Sequence, residues 1–132
     1  SESDFSGKRV LLVEDNDLNQ EIAQEILKMA GLTVEIAENG KEAVRLFSGM
    51  PENYCDMILT DIQMPLMNGY EAAEALRSME REDAQNVPII AMTANAFADD
   101  VLAAKNAGMN EHIAKPLDML RLQELLGDYL NR

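Results

Sequence analysis

Four short apolar runs in this chain each stop at a polar residue: VLLV at Glu14-Asp15, MILT at Asp61, PIIAM at Thr93 and HIA at Lys115-Pro116. Runs of this length rich in Val, Ile and Leu read as strands buried on both faces. Such strands need a covering layer on each side, which a parallel sheet flanked by helices provides. In an open parallel α/β sheet, residues just past the strand ends line the crevice where ligands bind. Three carboxylates, a hydroxyl and an ammonium are therefore expected to converge at one edge. That set suits a divalent cation and a phosphoryl group.

The segments between the runs carry helical patterning. Residues 17 to 30 place Leu18, Ile22, Ala23, Ile26, Leu27 and Ala30 at helical spacing, and Gly31 is the expected left-handed cap. Leu32 to Ile36 reads as a second strand, Asn39-Gly40 as a turn, and Lys41 to Phe47 as a short helix. Gly69 opens a helix through about Met79, and the charged run from Glu80 to Gln85 reads as a solvated connection. Val87 to Met92 is the fourth strand, Ala98 to Ala107 a helix stopped by Gly108, and Glu111 to Ala114 a short fifth strand. Asp118 caps a last helix to about Leu130. Strand and helix alternate five times. The expected fold is therefore α/β, a (βα)5 doubly wound parallel sheet of five strands, flavodoxin-like if their order is 2-1-3-4-5. Residues 1–7, SESDFSG, are small and polar and read as a linker or tail, with the domain occupying 8–132.

Charge and cysteine content exclude several classes. With 24 Asp and Glu against 11 Lys and Arg, a net charge of -13 argues against nucleic acid and anionic membrane surfaces as partners. No apolar stretch reaches the ~18 residues of a membrane span. The single cysteine, Cys55, fits a reducing compartment, and Asp56 beside it opposes a reactive thiolate. The expected location is the cytoplasm, including the cytoplasmic part of a membrane-anchored sensor. The chain begins at Ser1 rather than Met, which reads as an excised or processed piece.

Clustered carboxylates repel one another, and a hard cation removes that conflict. Mg²⁺ takes one or two protein carboxylates and leaves positions for phosphate oxygens. Glu14, Asp15 and Asp61 are sufficient donors. A carboxylate at the Asp61 position can act as a nucleophile and form an acyl phosphate. Lys115 can neutralise a phosphoryl oxygen as a point charge, and Thr93 can donate its hydroxyl to another. Taken singly, each of these residues has a plainer reading: an Asp after a strand is usually a turn residue or helix cap, a Thr a cap, a Lys surface. All of them at strand ends, on strands one, three, four and five, argue for one shared site.

These residues carry a resemblance. VLLVEDN, MILTDIQMPLMNGYEA, IIAMTA and HIAKPL together resemble the receiver domain of two-component response regulators, from about Lys8 to Leu130. EDNxxNQ and IAKPLD are most similar to receivers of hybrid sensor histidine kinases. The resemblance implies transfer of a phosphoryl group from a histidine kinase or histidine phosphotransfer protein onto Asp61. It implies Mg²⁺, with Mn²⁺ as a second candidate, held by Asp15, Asp61 and the backbone carbonyl of Gln63, with Glu14 acting through water. It also implies a cis Lys115-Pro116 bond, a switch hydroxyl at Thr93, and a switching side chain at His112, where the family usually has an aromatic. A histidine there would make the switch responsive to pH, although a half-buried histidine without a switching role is the plainer reading. Gln63 and Asn95 fall where the family tunes phosphate lifetime. Neither is an acid, so rapid self-dephosphorylation is not expected. Leu18 and Ile22, with Pro116 and Leu117, read either as an apolar docking patch for the phosphodonor or as core cover. The loop 94–98 reads as a mobile segment that responds to phosphate, or as an ordinary loop.

Two other functions compete. A Mg²⁺-dependent phosphatase with an aspartyl nucleophile would need an acid two residues after Asp61, where Gln63 stands. A receiver-like docking module that is never phosphorylated would be expected to lack an acidic position or the lysine, and this chain keeps them all. A nucleotide hydrolase is excluded by the lack of a GxxxxGK[ST] loop. The end at Arg132 leaves no room for a DNA-binding domain, which suggests a hybrid-kinase terminus or a single-domain relay.

Overall fold

The computed structural model describes residues 5–94 and 98–130, with side chains 98–100 excepted. The strands are β1 (Arg9–Val13), β2 (Thr33–Ala37), β3 (Met57–Asp61), β4 (Ile89–Thr93) and β5 (Glu111–Ala114). The helices are α1 (Asp17–Met29), α2 (Gly40–Gly49), α3 (Gly69–Arg77), α4 (Glu82–Asn86), α5 (Ala98–Asn106) and α6 (Met119–Leu130). The sheet is parallel throughout, in the order β2-β1-β3-β4-β5. This is the expected order.

The apolar strands bury both faces because successive side chains point to opposite sides. Val10, Leu12, Leu59, Ile90, Met92 and Ile113 join Leu27 of α1 and Leu122 and Leu126 of α6 in one cluster. Leu11, Val13, Ile58, Ile89 and Ala91 join Phe47 of α2 and Leu76 of α3 in the other. Register lines up one face across the strands: Leu12 stands beside Leu59, and Leu59 beside Ile90, all in the first cluster.

Helix starts are fixed by asparagines. Asn16, Asn39 and Asn68 accept from the backbone N–H three residues on, at 2.9, 2.8 and 2.9 Å. At α3 Glu71 completes a reciprocal capping box. All three caps lie just beyond strand ends, so each helix departs from the sheet edge that carries the polar residues. Gly31 has φ +95 after α1, as expected of a left-handed cap, and the Asp118 carboxylate accepts from Arg121 N–H at 3.3 Å.

The structure corrects two expectations. The run Glu80–Gln85 is not merely a solvated connection, because it contains α4, in which Asp83 and Ala84 are buried. Arg81 makes this possible. Its guanidinium forks onto Asp83 at 2.9 and 2.8 Å, donates to the carbonyls of Phe47 and Pro51, and lies 4.8 Å from the Phe47 ring centroid. Asp83 also accepts from Asn53 N–H at 2.8 Å, and Arg81 with Asn53 holds its carboxyl below the usual range. A charged pair satisfied in this way can turn inward.

The second correction concerns the segment 1–7. Residues 1–4 lie outside the described residues, but Phe5 is only 3% exposed and belongs to the α1/α6 cluster. Its N–H donates to the Ala30 carbonyl at 3.3 Å, and its carbonyl accepts from Lys8 N–H at 3.1 Å. Phe5 is therefore part of the domain rather than a linker. Replacing it with Ala should cost about 3 kcal/mol, the low end for truncating a buried aromatic. A lowered urea midpoint with an unchanged slope would show this, and an unchanged midpoint would contradict it.

Candidate functional site

Four strand ends bring the expected side chains together. Asp61 and Thr93 are the last residues of β3 and β4, Glu14 follows β1 directly, and Lys115 follows β5. Asp61, Gln63, Asn68, Tyr70, Thr93 and Lys115 line a cleft of about 430 Å³. At about 30 Å³ each it has room for roughly a dozen waters. Glu14, Asp61 and Thr93 are buried, Glu14 with only 1% of its surface exposed, while Asp15 stands at the exposed rim.

Each buried acid is held by its local chain. Glu14 N–H donates to Ala37 O on β2 at 3.0 Å, and its carbonyl accepts from the Gln20 side-chain amide at 2.7 Å. One carboxylate oxygen accepts from Asn16 N–H at 3.1 Å and the other from Lys115 Nζ at 3.2 Å. Asp61 accepts from Ile62 N–H through Oδ1 at 2.8 Å and from Lys115 Nζ through Oδ2 at 3.1 Å. Gly69 lets α3 begin directly against this strand end. A Cβ there would collide with the Asp61 carbonyl oxygen and lie 2.9 Å from Ile62 Cα. The Lys115-Pro116 bond is cis, as the resemblance implied, and Lys115 N–H donates to Thr93 O at 2.9 Å.

The electrostatics follow from this packing. Burial pushes the Glu14 carboxyl above its ordinary 4.5, and the Asp61 charge adds to that, while Asn16 and Lys115 oppose it. Burial pulls the Lys115 ammonium down, but the hydrogen bonds and charges of Asp61 and Glu14 hold it above its ordinary 10.5. Cys55 is buried, and its thiol is pushed up to about 12, which makes it inert as a nucleophile.

Oxygens of Glu14, Asp15 and Asp61 lie within 4.8 Å of one another. Three carboxylates share one ammonium, which is ion-paired to Glu14 and Asp61. Hard oxygen donors with an excess of negative charge fit a hard divalent cation such as Mg²⁺.

The other expected residues fall in different places. Gln63 is exposed at the cleft, and Asn95 lies outside the described residues, as do 95–97 of the loop 94–98. His112 is half-buried on β5 beside Ala91 of β4, on the sheet face opposite Ile113. Leu18 and Ile22 are 63% and 43% exposed, so they do not serve chiefly as core cover. Ile22, Pro116 and Leu117 line a smaller cavity of about 240 Å³ behind Lys115, while Leu117 also packs on the core. The strand-end pattern did not reveal Asn68 and Tyr70, which form the α3 wall of the cleft. A polar residue in the first turn of a helix reads as a cap, and Asn68 is one.

A profile described as the response regulator receiver domain matches residues 10–127. The chain belongs to this family. It is a receiver domain of the two-component and phosphorelay kind. Among curated relatives, it is 35% identical over 127 residues to a peroxide stress-activated histidine kinase of Schizosaccharomyces pombe, covering 96% of this chain and 8% of that one. It is 38% identical over 132 residues to a probable histidine kinase of Oryza sativa subsp. indica, covering 91% and 12%. The receiver thus spans less than a fifth of the curated relatives it matches. Among solved structures, the receiver domain of a Pseudomonas aeruginosa sensor histidine kinase superimposes with a TM-score of 0.85 at 36% identity, covering 96% of this chain and all of that one. That structure holds a magnesium ion in its active site cleft. A Saccharomyces cerevisiae receiver, solved with a histidine phosphotransfer protein, matches with a TM-score of 0.83 at 31% identity, covering 95% and 90%.

The raised Glu14 value has a defined pH consequence. Its folded pKa exceeds its unfolded 4.5, so the Glu14 contribution to stability falls as pH rises from 4.5 through the folded value. In chelator-treated protein, Glu14→Gln should remove that part of the decline in urea-unfolding free energy between about pH 4 and 7. Parallel pH profiles for the two proteins would contradict this. The Lys115 contribution is fully present below 10.5 and is lost only as pH rises through its raised value.

Proposed function

We propose that this receiver accepts a phosphoryl group from a phosphohistidine onto a carboxylate oxygen of Asp61. The observation that carries the reading is the position of Asp61 at the cleft floor, with Lys115 Nζ 3.1 Å from one oxygen and Thr93 on the same cleft. In the transfer, an Asp61 oxygen forms a P–O bond as the P–N bond to the donor imidazole breaks. The leaving nitrogen keeps the bonding pair and takes up a proton. Lys115 remains protonated and neutralises a phosphoryl oxygen, and the Thr93 hydroxyl donates to another. A bound divalent cation would neutralise phosphoryl charge. Asp15, Asp61 and the Gln63 backbone carbonyl would hold it, with Glu14 acting through water. Mg²⁺ is the first choice, and Mn²⁺ suits the same oxygen donors.

The acyl phosphate adds roughly -1.5 to -2 charges at this edge. Lys115 N–H is bonded to Thr93 O, so a change at either strand end is felt at the other. On this reading Thr93 and His112 carry the switch, and Gln63 and Asn95 set how the attacking water is held. The donor is a histidine kinase or a histidine phosphotransfer protein, which docks on Leu18, Ile22, Pro116 and Leu117. The reading places the domain in the cytoplasm, free or as part of a membrane-anchored sensor kinase. Among the described residues, no helix is long and apolar enough to cross a membrane.

Incubation with a divalent cation and acetyl phosphate tests the site. One phosphoryl adduct on Asp61, absent in Asp61→Asn and strongly reduced in Lys115→Met, is the expected result. Sustained hydrolysis of the donor would mean a phosphatase, and no adduct a docking module. The docking surface has its own check. Leu18→Asp should leave the urea-unfolding free energy within about 0.5 kcal/mol of the parent, as at an exposed site, and slow phosphotransfer from a phosphorylated protein donor. Unchanged transfer rates would remove α1 from the docking surface.

A further inference from the structure

Only Glu14, Asp15 and Asn16 separate β1 from α1, and the two acids are held in different ways. The Glu14 carboxylate is buried and accepts from Asn16 N–H and Lys115 Nζ. The Asp15 carboxylate is exposed, and among the described residues no group donates to it. Its oxygen nevertheless lies within 4.8 Å of those of Glu14 and Asp61. What aims Asp15 at the site is therefore its backbone.

The peptide that joins Glu14 to Asp15 is planar, so anchoring its oxygen sets the direction in which the chain leaves toward Asp15. That oxygen is held by a side chain: the Gln20 amide donates to the Glu14 carbonyl at 2.7 Å. Gln20 stands in the first turn of α1, and its own N–H donates to Asn16 O at 2.9 Å. The bond thus runs from the helix back to the strand end and closes the turn between them.

Starting the helix does not require this bond, because Asn16 Oδ1 already caps α1 by accepting from Asn19 N–H at 2.9 Å. The residue type is informative as well. An ionised Asp or Glu cannot donate to a carbonyl. Lys or Arg would donate, but would set a positive charge beside carboxylates that suit a cation. Glutamine supplies a long donor without charge.

We infer that Gln20 is a positioning residue for the divalent cation site, acting through the Glu14 carbonyl to aim the Asp15 carboxylate; this rests on the metal assignment above. Glu14 keeps its place without Gln20, because its N–H and both carboxylate oxygens are bonded elsewhere. The loss therefore falls on Asp15. Partners that orient a metal ligand are typically worth roughly 10- to 100-fold in metal affinity.

The test is a titration with Mg²⁺ alone, without phosphodonor and at fixed neutral pH, followed by backbone amide NMR shifts. Gln20→Met and Gln20→Leu remove the donor while keeping an apolar stem. Asn39→Ala is the control for lost stability, since Asn39 caps α2 and lines neither cavity. Both Gln20 variants should keep a dispersed spectrum and bind Mg²⁺ at least roughly tenfold more weakly. Asn39→Ala should bind like the parent even where its urea midpoint falls further. With Mn²⁺, read by paramagnetic broadening, Gln20→Met in an Asp15→Asn background should cost no more than about twofold, because the ligand it aims is gone. Parental affinity in the Gln20 variants, equal weakening in Asn39→Ala, full additivity with Asp15→Asn, or collapse of both Gln20 spectra would overturn the inference. A parent without saturable Mg²⁺ shifts around Asp15 and Asp61 would overturn the metal assignment itself.

Discussion

One ammonium between two buried carboxylates organises this domain. Lys115 Nζ stands 3.2 Å from Glu14 and 3.1 Å from Asp61, and it follows β5, three positions from β1 across the sheet. Buried charges persist only when paired or bound to a cation. Without Lys115, the buried acids at the ends of β1 and β3 would face each other with no cation between them. With it, Glu14 and Asp61 still exceed the ammonium by one negative charge, and Asp15 adds a further carboxylate that the lysine does not pair with. The site is thus stable enough to fold yet still short of positive charge, which is the state that draws in a hard cation.

The strand-end residues were legible because they depend on two short-range facts, apolar runs and the polar residues that stop them. The parallel, helix-covered sheet was legible because βα alternation leaves few connections open. What escaped detection depends on tertiary partners. Asp83 turns inward only because Arg81 forks onto it while reaching the Phe47 and Pro51 carbonyls, and a charge run by itself gives no sign of that. Phe5 is a lone aromatic in a polar segment, with no periodicity to identify it as core. Tyr70 and Asn68 lie in the first turn of a helix, where the pattern points to capping and not to a cleft wall.

The two apolar clusters also separate concerns within the fold. Glu14, Asp61 and Thr93 extend from strands whose flanking side chains are fully packed, so their backbone positions are rigid. Gln63 stands on the loop after β3, outside both clusters, and Leu18 and Ile22 project from α1 away from its buried side. Substitutions at these outer positions change what the cleft meets without opening a cavity in the core.

The burial of Phe5 has a further consequence for attachment. Phe5 lies before the start of β1 and bonds to Ala30 at the far end of α1, so the chain enters at the edge of the sheet opposite the cleft. α6 starts near the site, after Lys115, and runs back to Leu130 at that same opposite edge. Both ends of the described chain therefore leave from the pole away from Asp61. A tether at either end can be shortened or stiffened without crossing the cleft, so encounter with a tethered donor becomes a question of linker reach and local concentration.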